Sequence, residues 1–281
     1  MSTINLKEIL KNTDKYNLHT HTQFCDGRNT MGELAEAAKA AGFKYLGFTP
    51  HSPVCVQSPC NMTDDSLPLY FFETDRLARE YEGRMKIFRG MEIDYLSPDF
   101  GPHIDYFQKM ELDYRLGSVH FVVTKDKRFI DCDGYGERFL KNLHDYFGDD
   151  IRYVAETYLE SVLKMIELGG FDILGHFDKI AGNAGLASPK IEDEVWYQNL
   201  IEEIIRNAGA KELGIEINTK AFLEKGRFFP AERWWPKLLS SGVPLLINSD
   251  AHYRDRINNG RAAALERLRE IEKKRKRELG R

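Results

Sequence analysis

Six of the eight histidines in this sequence, His19, His21, His51, His120, His176 and His252, stand at or just past the end of a short apolar or β-branched run. Carboxylates recur at the same level: Asp26 follows the first run, Glu92 lies near the end of the third, and Asp250 sits beside His252 after the last. Imidazole nitrogen with carboxylate oxygen suits zinc, manganese or iron, and the lack of thiolates argues against a purely structural zinc knot. The four cysteines, Cys25, Cys55, Cys60 and Cys132, contain no CxxC pair. These residue types therefore point to a metal site.

Each segment alone is a weak signal. In LHTHT, His19 and His21 are two apart, so on a strand both side chains face the same way, as two ligands of one ion require. In NSDAH a tight turn after an apolar strand would aim Asp250 and His252 at neighbouring ions. Glu92 in GMEID puts a carboxylate at the end of an apolar strand, where burial is costly without a cation. Taken singly, His120 in GSVHF and His176 in LGHFD read as hydrogen-bonded core histidines. Six such coincidences on one rim read instead as a metal site. His103, in the long loop after Glu92, is a candidate to reach substrate, whereas His144 falls on a helix as a surface or packing residue. Cys25 and Cys55 read as small packing residues.

For these side chains to converge, the runs that carry them must be parallel strands opening onto one face. Seven runs fit: Tyr16 to Thr22, Tyr45 to His51, Lys86 to Ile93, Leu116 to Val123, Asp172 to His176, Leu213 to Thr219 and Leu245 to Ser249. Helical periodicity lies between them at Thr30 to Ala41, Leu67 to Glu82, Glu137 to Tyr146, Ile151 to Leu168, Ile191 to Asn207 and Ala231 to Ser240. This alternation predicts an α/β barrel of about seven βα units. With no Pro/Gly/Ser linker, residues 1–281 form a single domain that ends in a helix at about 258–279. The inserts Ser52 to Pro68, Asp94 to Asp113 and Lys125 to Tyr135 are then loops at one end of the barrel.

Composition supports a soluble globular chain with a small-molecule partner. Of 281 residues, 42% are apolar and 30% charged, and 44 acids against 40 bases leave a formal charge of −4. That excludes a disordered or fibrous protein and gives no reason to seek nucleic acid or anionic lipid. The start has no secretory signal pattern, and no window approaches the roughly 18 uninterrupted apolar residues of a membrane span. A cytoplasmic location is expected. The basic end of the last helix complements its dipole, and the oligomeric state is left open.

In order, the segments LHTHTQFCDG, FTPHS, GMEID, GSVH, GHFD, EINTK and NSDAH resemble the polymerase and histidinol phosphatase (PHP) superfamily, most closely its histidinol-phosphate phosphatase branch. The likeness runs from about Asn17 to His252. It implies a distorted (β/α)7 barrel of TIM type with three divalent ions (zinc, manganese or iron) at the C-terminal face of the strands. On this chain the first ion would take His19, His21 and Asp250, and Glu92 would bridge it to a second held by His120 and His176. Asp26, His51 and His252 would hold the third. After Asp26, where members often place a histidine, this chain reads Gly27 and Arg28.

The implied activity is phosphomonoesterase action on L-histidinol phosphate in histidine biosynthesis, by a hydroxide bridging the first two ions. Three divalent ions bring six positive charges; Asp26, Glu92, Asp250 and the hydroxide return four, which leaves two for a phosphate dianion to neutralise. Asp178 and His103 are candidates for the general acid, with Asp178 alternatively supporting a ligand histidine. Arg28 and Arg227 are candidates for an extra phosphate clamp. Asn218 would orient substrate or a ligand, or bond the backbone. The rival readings are a PHP phosphoesterase acting on nucleotides, short nucleic acids or phosphotyrosyl peptides, and a binding or regulatory barrel without activity.

Overall fold

The computed structural model describes residues 4–278 and 280. Its strands are β1 (Tyr16–Asn17), β2 (Tyr45–Phe48), β3 (Lys86–Arg89), β4 (Glu92–Asp94), β5 (Leu116–Ser118), β6 (Phe121–Val123), β7 (Phe129–Asp131), β8 (Ile173–Leu174), β9 (Gly214–Asn218) and β10 (Leu245–Asn248). Two parallel sheets, ordered β1-β2-β3 and β10-β9-β8-β5-β4, make up the barrel wall. Parallel bridges from His51 to Glu92 and from Thr20 to Ala251 join them at both edges, so the ring closes in chain order.

The closure is uneven, which is why the barrel is distorted. Where β1 meets β10, side chains replace much of the backbone ladder. Tyr16 Oη accepts from the Ile247 N–H at 3.0 Å, Asn248 Oδ1 from the Leu18 N–H at 2.9 Å, and Asn17 Oδ1 from the Ser249 N–H at 3.3 Å. Backbone pairing resumes only above, with the His21 N–H donating to the Ala251 carbonyl at 2.9 Å. Buried backbone groups need partners, and here short polar side chains supply them.

Two expected strands are broken. The run Lys86 to Ile93 divides into β3 and β4 at Gly90, where the wall bends around the buried ring of Tyr114. A Cβ on Gly90 would lie 2.5 Å from Tyr114 Cζ, and one on Gly47 of β2 would lie 1.9 Å from its Oη, so only glycine allows the wall this close. The run Leu116 to Val123 divides at Val119 and His120. Beyond the break, β6 leaves the barrel and pairs antiparallel with β7 inside the segment expected to be a loop.

All six expected helices form. Met31–Ala40 starts in a capping box between Thr30 and Glu33, and Ile151–Leu168 is capped by Asp150. The expected helix over Ile191 to Asn207 becomes a 3-10 turn, Ile191–Asp193, followed by Val195–Ala210; that over Ala231 to Ser240 becomes Glu232–Trp234 and Trp235–Ser241. The terminal helix runs Arg261–Glu278, and the expected last residue, Leu279, lies outside the described residues. Leu6–Asn12 and Ile180–Ala187 were not anticipated. The helices bury Leu159, Val162, Ile166, Ile204 and Ile205 beside Ile215, Ile217 and Ile247 in one core cluster, each such side chain contributing about 1.5–3 kcal/mol. Among the described residues no helix is long and apolar enough to cross a membrane.

Candidate metal centre

Eight of the nine expected ligands come from the C-terminal ends of the barrel strands or the turns beyond, Glu92 opens β4 three residues past the end of β3, and His19, Glu92 and His176 are wholly buried. Glu92, at the start of β4, is the hub. Its Oε1 lies 2.9 Å from His176 Nε2 and 3.5 Å from His120 Nε2. Its Oε2 lies 3.3 Å from His19 Nε2, 3.4 Å from His21 Nε2 and 3.1 Å from His51 Nδ1. One carboxylate thus presents its two oxygens to different sets of imidazoles, the arrangement a bridge between two ions requires.

Asp250 Oδ1 stands 3.0 Å from His21 Nε2, and His252 Nε2 stands 3.2 Å from Asp26 Oδ2. The donor atoms of His19, His21 and Asp250 all lie within 4.8 Å of one another, as do those of His21, Asp26, His51 and His252, and those of His51, Glu92 and His120. The first set is the one expected. The set around Asp26 gains His21. His120 clusters with His51 and Glu92, whereas His176 clusters with His19 and Glu216.

The donor set fits divalent ions on a direct count. Asp26 Oδ1, His51 Nδ1, Glu92 Oε2, His120 Nε2 and Asp250 Oδ1 are buried without a hydrogen-bond partner. An unsatisfied buried polar atom costs about 1–3 kcal/mol, and these five face one another, so cations are the partners that chemistry supplies.

The other atoms of these rings are held from behind. Glu216 Oε1 accepts from His19 Nδ1 at 2.7 Å and from Asn248 Nδ2 at 3.1 Å. Its Oε2 accepts from the His176 backbone N–H and from Asn218 Nδ2, both at 3.1 Å. Four bonds occupy its four lone-pair sites, so Glu216 supports ligands rather than acting as one. Asp94 Oδ1 holds His120 Nδ1 at 2.6 Å, and the Asp250 carbonyl holds His252 Nδ1 at 3.0 Å. In each case the proton is drawn to Nδ1 and the Nε2 lone pair is left facing inward. Sequence reasoning missed Glu216 and Asp94, though both stand two residues from an identified strand-end residue, in Glu-x-Asn and Glu-x-Asp. Period-2 alternation puts each pair on one face. Asn218 orients carboxylates, donating also to Asp250 Oδ2 at 3.1 Å.

The titration of the site follows from this crowding. Burial alone would raise the acid of Glu92, but His19, His51, His120 and His176 hold it well below the usual range. Asp250 and Asp26 are likewise held low against burial, Asp250 by Lys220, His19 and His21, and Asp26 by His252, His21 and His51. Burial disfavours the His19 cation, yet Glu216, Glu92 and Asp250 raise it well above normal. His120 is pushed up to about 9, with Asp94 and Glu92 outweighing burial. His21, facing His252 and His51 instead, is driven well down by burial and these neighbours. Excess negative charge thus draws protons onto His19 and His120, which bound ions would replace.

The remaining expected residues fare differently. Arg28 is exposed at the mouth, with its backbone N–H donating to the His252 carbonyl at 2.8 Å. The Arg227 guanidinium is committed to Glu192, with contacts of 2.9 and 2.8 Å, and stacks over Phe229. Asp178 is buried and accepts from the Ala231 N–H at 2.8 Å. Burial lifts its carboxyl to about 7 against the pull of Arg227. His176 Nδ1 has no hydrogen-bond partner, so Asp178 does not support that histidine. His103 does not reach the centre. Its Nε2 bonds the Pro98 carbonyl at 2.9 Å and its backbone packs on Gly170, before the start of β8 and so at the end opposite His176. The insert Asp94 to Asp113 thus runs away from the mouth, because the chain must return to the barrel floor to begin β5. His144 lies on the surface 3.0 Å from Asp149. Cys55 is exposed, not packed, whereas the Cys25 thiol, 3.5 Å from His21 Nδ1, is pushed up to about 12 by burial and Asp26.

A model of the PHP domain matches residues 17–220. The chain belongs to the PHP domain family. Among PHP relatives, the histidinol-phosphatase of Bacillus subtilis is 27% identical over 267 residues, spanning 89% of this chain and 97% of that protein. The Bacillus subtilis DNA polymerase/3'-5' exonuclease PolX is 32% identical over 238 residues, which cover 85% of this chain but 34% of PolX. The crystal structure of histidinol phosphate phosphatase from Lactococcus lactis, complexed with zinc, L-histidinol and phosphate, superposes with a TM-score of 0.70. It is 20% identical, and the match covers 92% of this chain and 94% of that one, so it establishes the PHP barrel fold.

Proposed function

We propose that this PHP protein is a metal-dependent phosphomonoesterase that hydrolyses L-histidinol phosphate to L-histidinol and inorganic phosphate, as a cytoplasmic step of histidine biosynthesis. The observation that carries the reaction class is Glu92, whose two oxygens face separate imidazole sets across a buried cluster of unsatisfied donors. Relatives that align over nearly their whole length and are named histidinol-phosphatases support the substrate. The ligand of the Lactococcus lactis structure fits the same reading.

In this reading His19, His21 and Asp250 would hold one ion, Glu92, His120 and His176 would hold a second, with Glu92 shared with the first, and Asp26, His51 and His252 would hold a third. When bound, the ions, whether zinc, manganese or iron, would supply Lewis acidity that activates water and neutralises phosphoryl charge. The chain's own work is orientation. Glu216 and Asp94 fix the imidazole tautomers, and Asn218 keeps Glu216 and Asp250 apart at hydrogen-bonding distance from a single amide. Rigid wall strands hold these groups, so little reorganisation is needed when substrate arrives.

The likeness to PolX favours a second reading, a phosphoesterase acting on nucleotides or short nucleic acids. Steady-state kinetics on histidinol phosphate, nucleotides and sugar phosphates decide between them. The proposal expects a preference for histidinol phosphate of at least ~100-fold in kcat/KM, about 2.7 kcal/mol of transition-state discrimination. A nucleotide turned over as well or better overturns the substrate assignment.

A further inference from the structure

Two lysines that the sequence did not single out converge on Asp250, one toward each carboxylate oxygen. Lys179, in the loop after β8, brings Nζ to 3.9 Å from Asp250 Oδ2 and 2.7 Å from Asp133. Lys220, in the loop after β9, brings Nζ to 3.5 Å from Asp250 Oδ1 and 3.2 Å from His252 Nε2. The Lys179 side chain is 13% exposed and that of Lys220 is 39% exposed, so one ammonium is held and the other has room to move.

The contact between Lys220 and His252 is the informative one. A neutral imidazole can accept from an ammonium at Nε2, yet that is the lone pair a metal ion needs, because Nδ1 is tied to the Asp250 carbonyl. Two cations cannot share one lone pair. An ion at the Asp26, His51 and His252 cluster therefore evicts the ammonium, and the half-exposed Lys220 stem lets it settle on the rim beside the cluster. Lys179 cannot travel as far, since Asp133 holds it. Meanwhile ions engage Asp250 and so withdraw part of the negative charge that faces both lysines. Two cations, one largely buried and one half-exposed, then flank the mouth with unspent hydrogen-bond donors, while Arg227 is consumed by Glu192.

We propose that Lys179 and Lys220 form the phosphate clamp of the loaded site, each ammonium donating to a phosphoryl oxygen, and that Lys220 exchanges His252 for phosphate when metal binds. This rests on the phosphatase reading for its physiological ligand. The probe is inorganic phosphate, so the clamp can be tested whichever ester is the substrate.

In the metal-loaded full chain, Lys179→Met and Lys220→Met are each expected to weaken phosphate binding, read by calorimetry, about tenfold. Lys179→Arg and Lys220→Arg should recover most of that loss. Metal titration separates the two roles: Lys220→Met should bind metal as tightly as the parent or more tightly, because the competitor for His252 is gone. Phosphate affinity within twofold of the parent in both Met variants overturns the clamp. So does metal binding that falls in step with phosphate binding, which would make the lysines structural. If the Met variants fail to fold, shown by circular dichroism, Lys179→Gln and Lys220→Gln take their place, with the same phosphate and metal affinities supporting or overturning the clamp. Loss of histidinol phosphate turnover preference with these phosphate effects intact would refute the substrate and leave the clamp standing.

Discussion

Glu216 Oε1 lies 2.7 Å from Nδ1 of His19, both side chains wholly buried, and this contact decides which nitrogen of His19 faces Glu92 and Asp250. With the proton held on Nδ1, Nε2 keeps its lone pair for the centre. Removing the carboxylate frees the ring to turn or to present the wrong tautomer.

Glu216→Gln and Glu216→Ala are therefore expected to lower metal affinity by about 10–100-fold, with the alanine variant the more severe because it also strips Asn218, Asn248 and the His176 N–H of their acceptor. Metal titration followed by elemental analysis checks it. Parent-like affinity in both variants would show that barrel packing alone orients His19.

Glu92→Ala removes both oxygens of the bridge. Phosphate release from a generic monoester should fall by about 10³-fold or more, several kcal/mol of lost transition-state stabilisation. Chelation of the parent should abolish release as well and lower Tm, because ligand binding to the folded state adds about 2.7 kcal/mol at a hundredfold excess over Kd. Turnover that survives chelation counts against a metal-dependent reaction.

Asp178 contributes a pH signature to the metal-free protein. Its carboxyl is raised to about 7 by burial, whereas the unfolded chain titrates near the ordinary value of about 3.9. Between these values the folded state holds a proton that the unfolded state has lost, so this residue makes stability fall as pH rises from about 4 to about 7, then level off. Asp178→Asn cannot ionise and should remove that fall, amounting to about 2–4 kcal/mol by pH 8. Thermal melts of both proteins at pH 5 and pH 8 measure it. An unchanged difference between the two pH values would mean that Asp178 titrates normally.

Tyr114 fills the floor of the barrel, its hydroxyl donating to the Leu18 carbonyl at 2.8 Å. Tyr114→Phe should cost about 1 kcal/mol for that bond, and Gly47→Ala about 1–3 kcal/mol for the overlap with Oη. The double variant removes the nearest atom the new methyl strikes and leaves the milder approach to Cζ, so denaturant unfolding should give a total below the sum of the two costs. Simple additivity would mean that the wall relaxes without regard to Tyr114.

What the amino-acid order determined is whatever depends on neighbours along the chain. Alternation of apolar runs with helical periodicity predicted the parallel barrel, and the spacing of two between His19 and His21 put both on one face. The position of Glu92, His120, His176 and Asp250 near the ends of apolar runs predicted that they share one mouth. Those are properties of φ/ψ repeats, which any local segment expresses by itself.

Tertiary structure alone decided which groups from different segments meet. It paired Glu216 with His19 and Asp94 with His120, and tied Arg227 to Glu192 when a phosphate role had been expected. His103 went to the far end of the barrel because the long insert has to descend before β5 begins. Tyr16, Asn17 and Asn248 stitch β1 to β10 with side-chain hydrogen bonds in place of a continuous backbone ladder. Lys179 and Lys220 carry no motif; they matter because two loops from adjacent strands bring their ammonium groups to the same carboxylate. Contacts across long stretches of sequence depend on how elements twist and pack around a filled interior, and a one-dimensional period does not encode that distance.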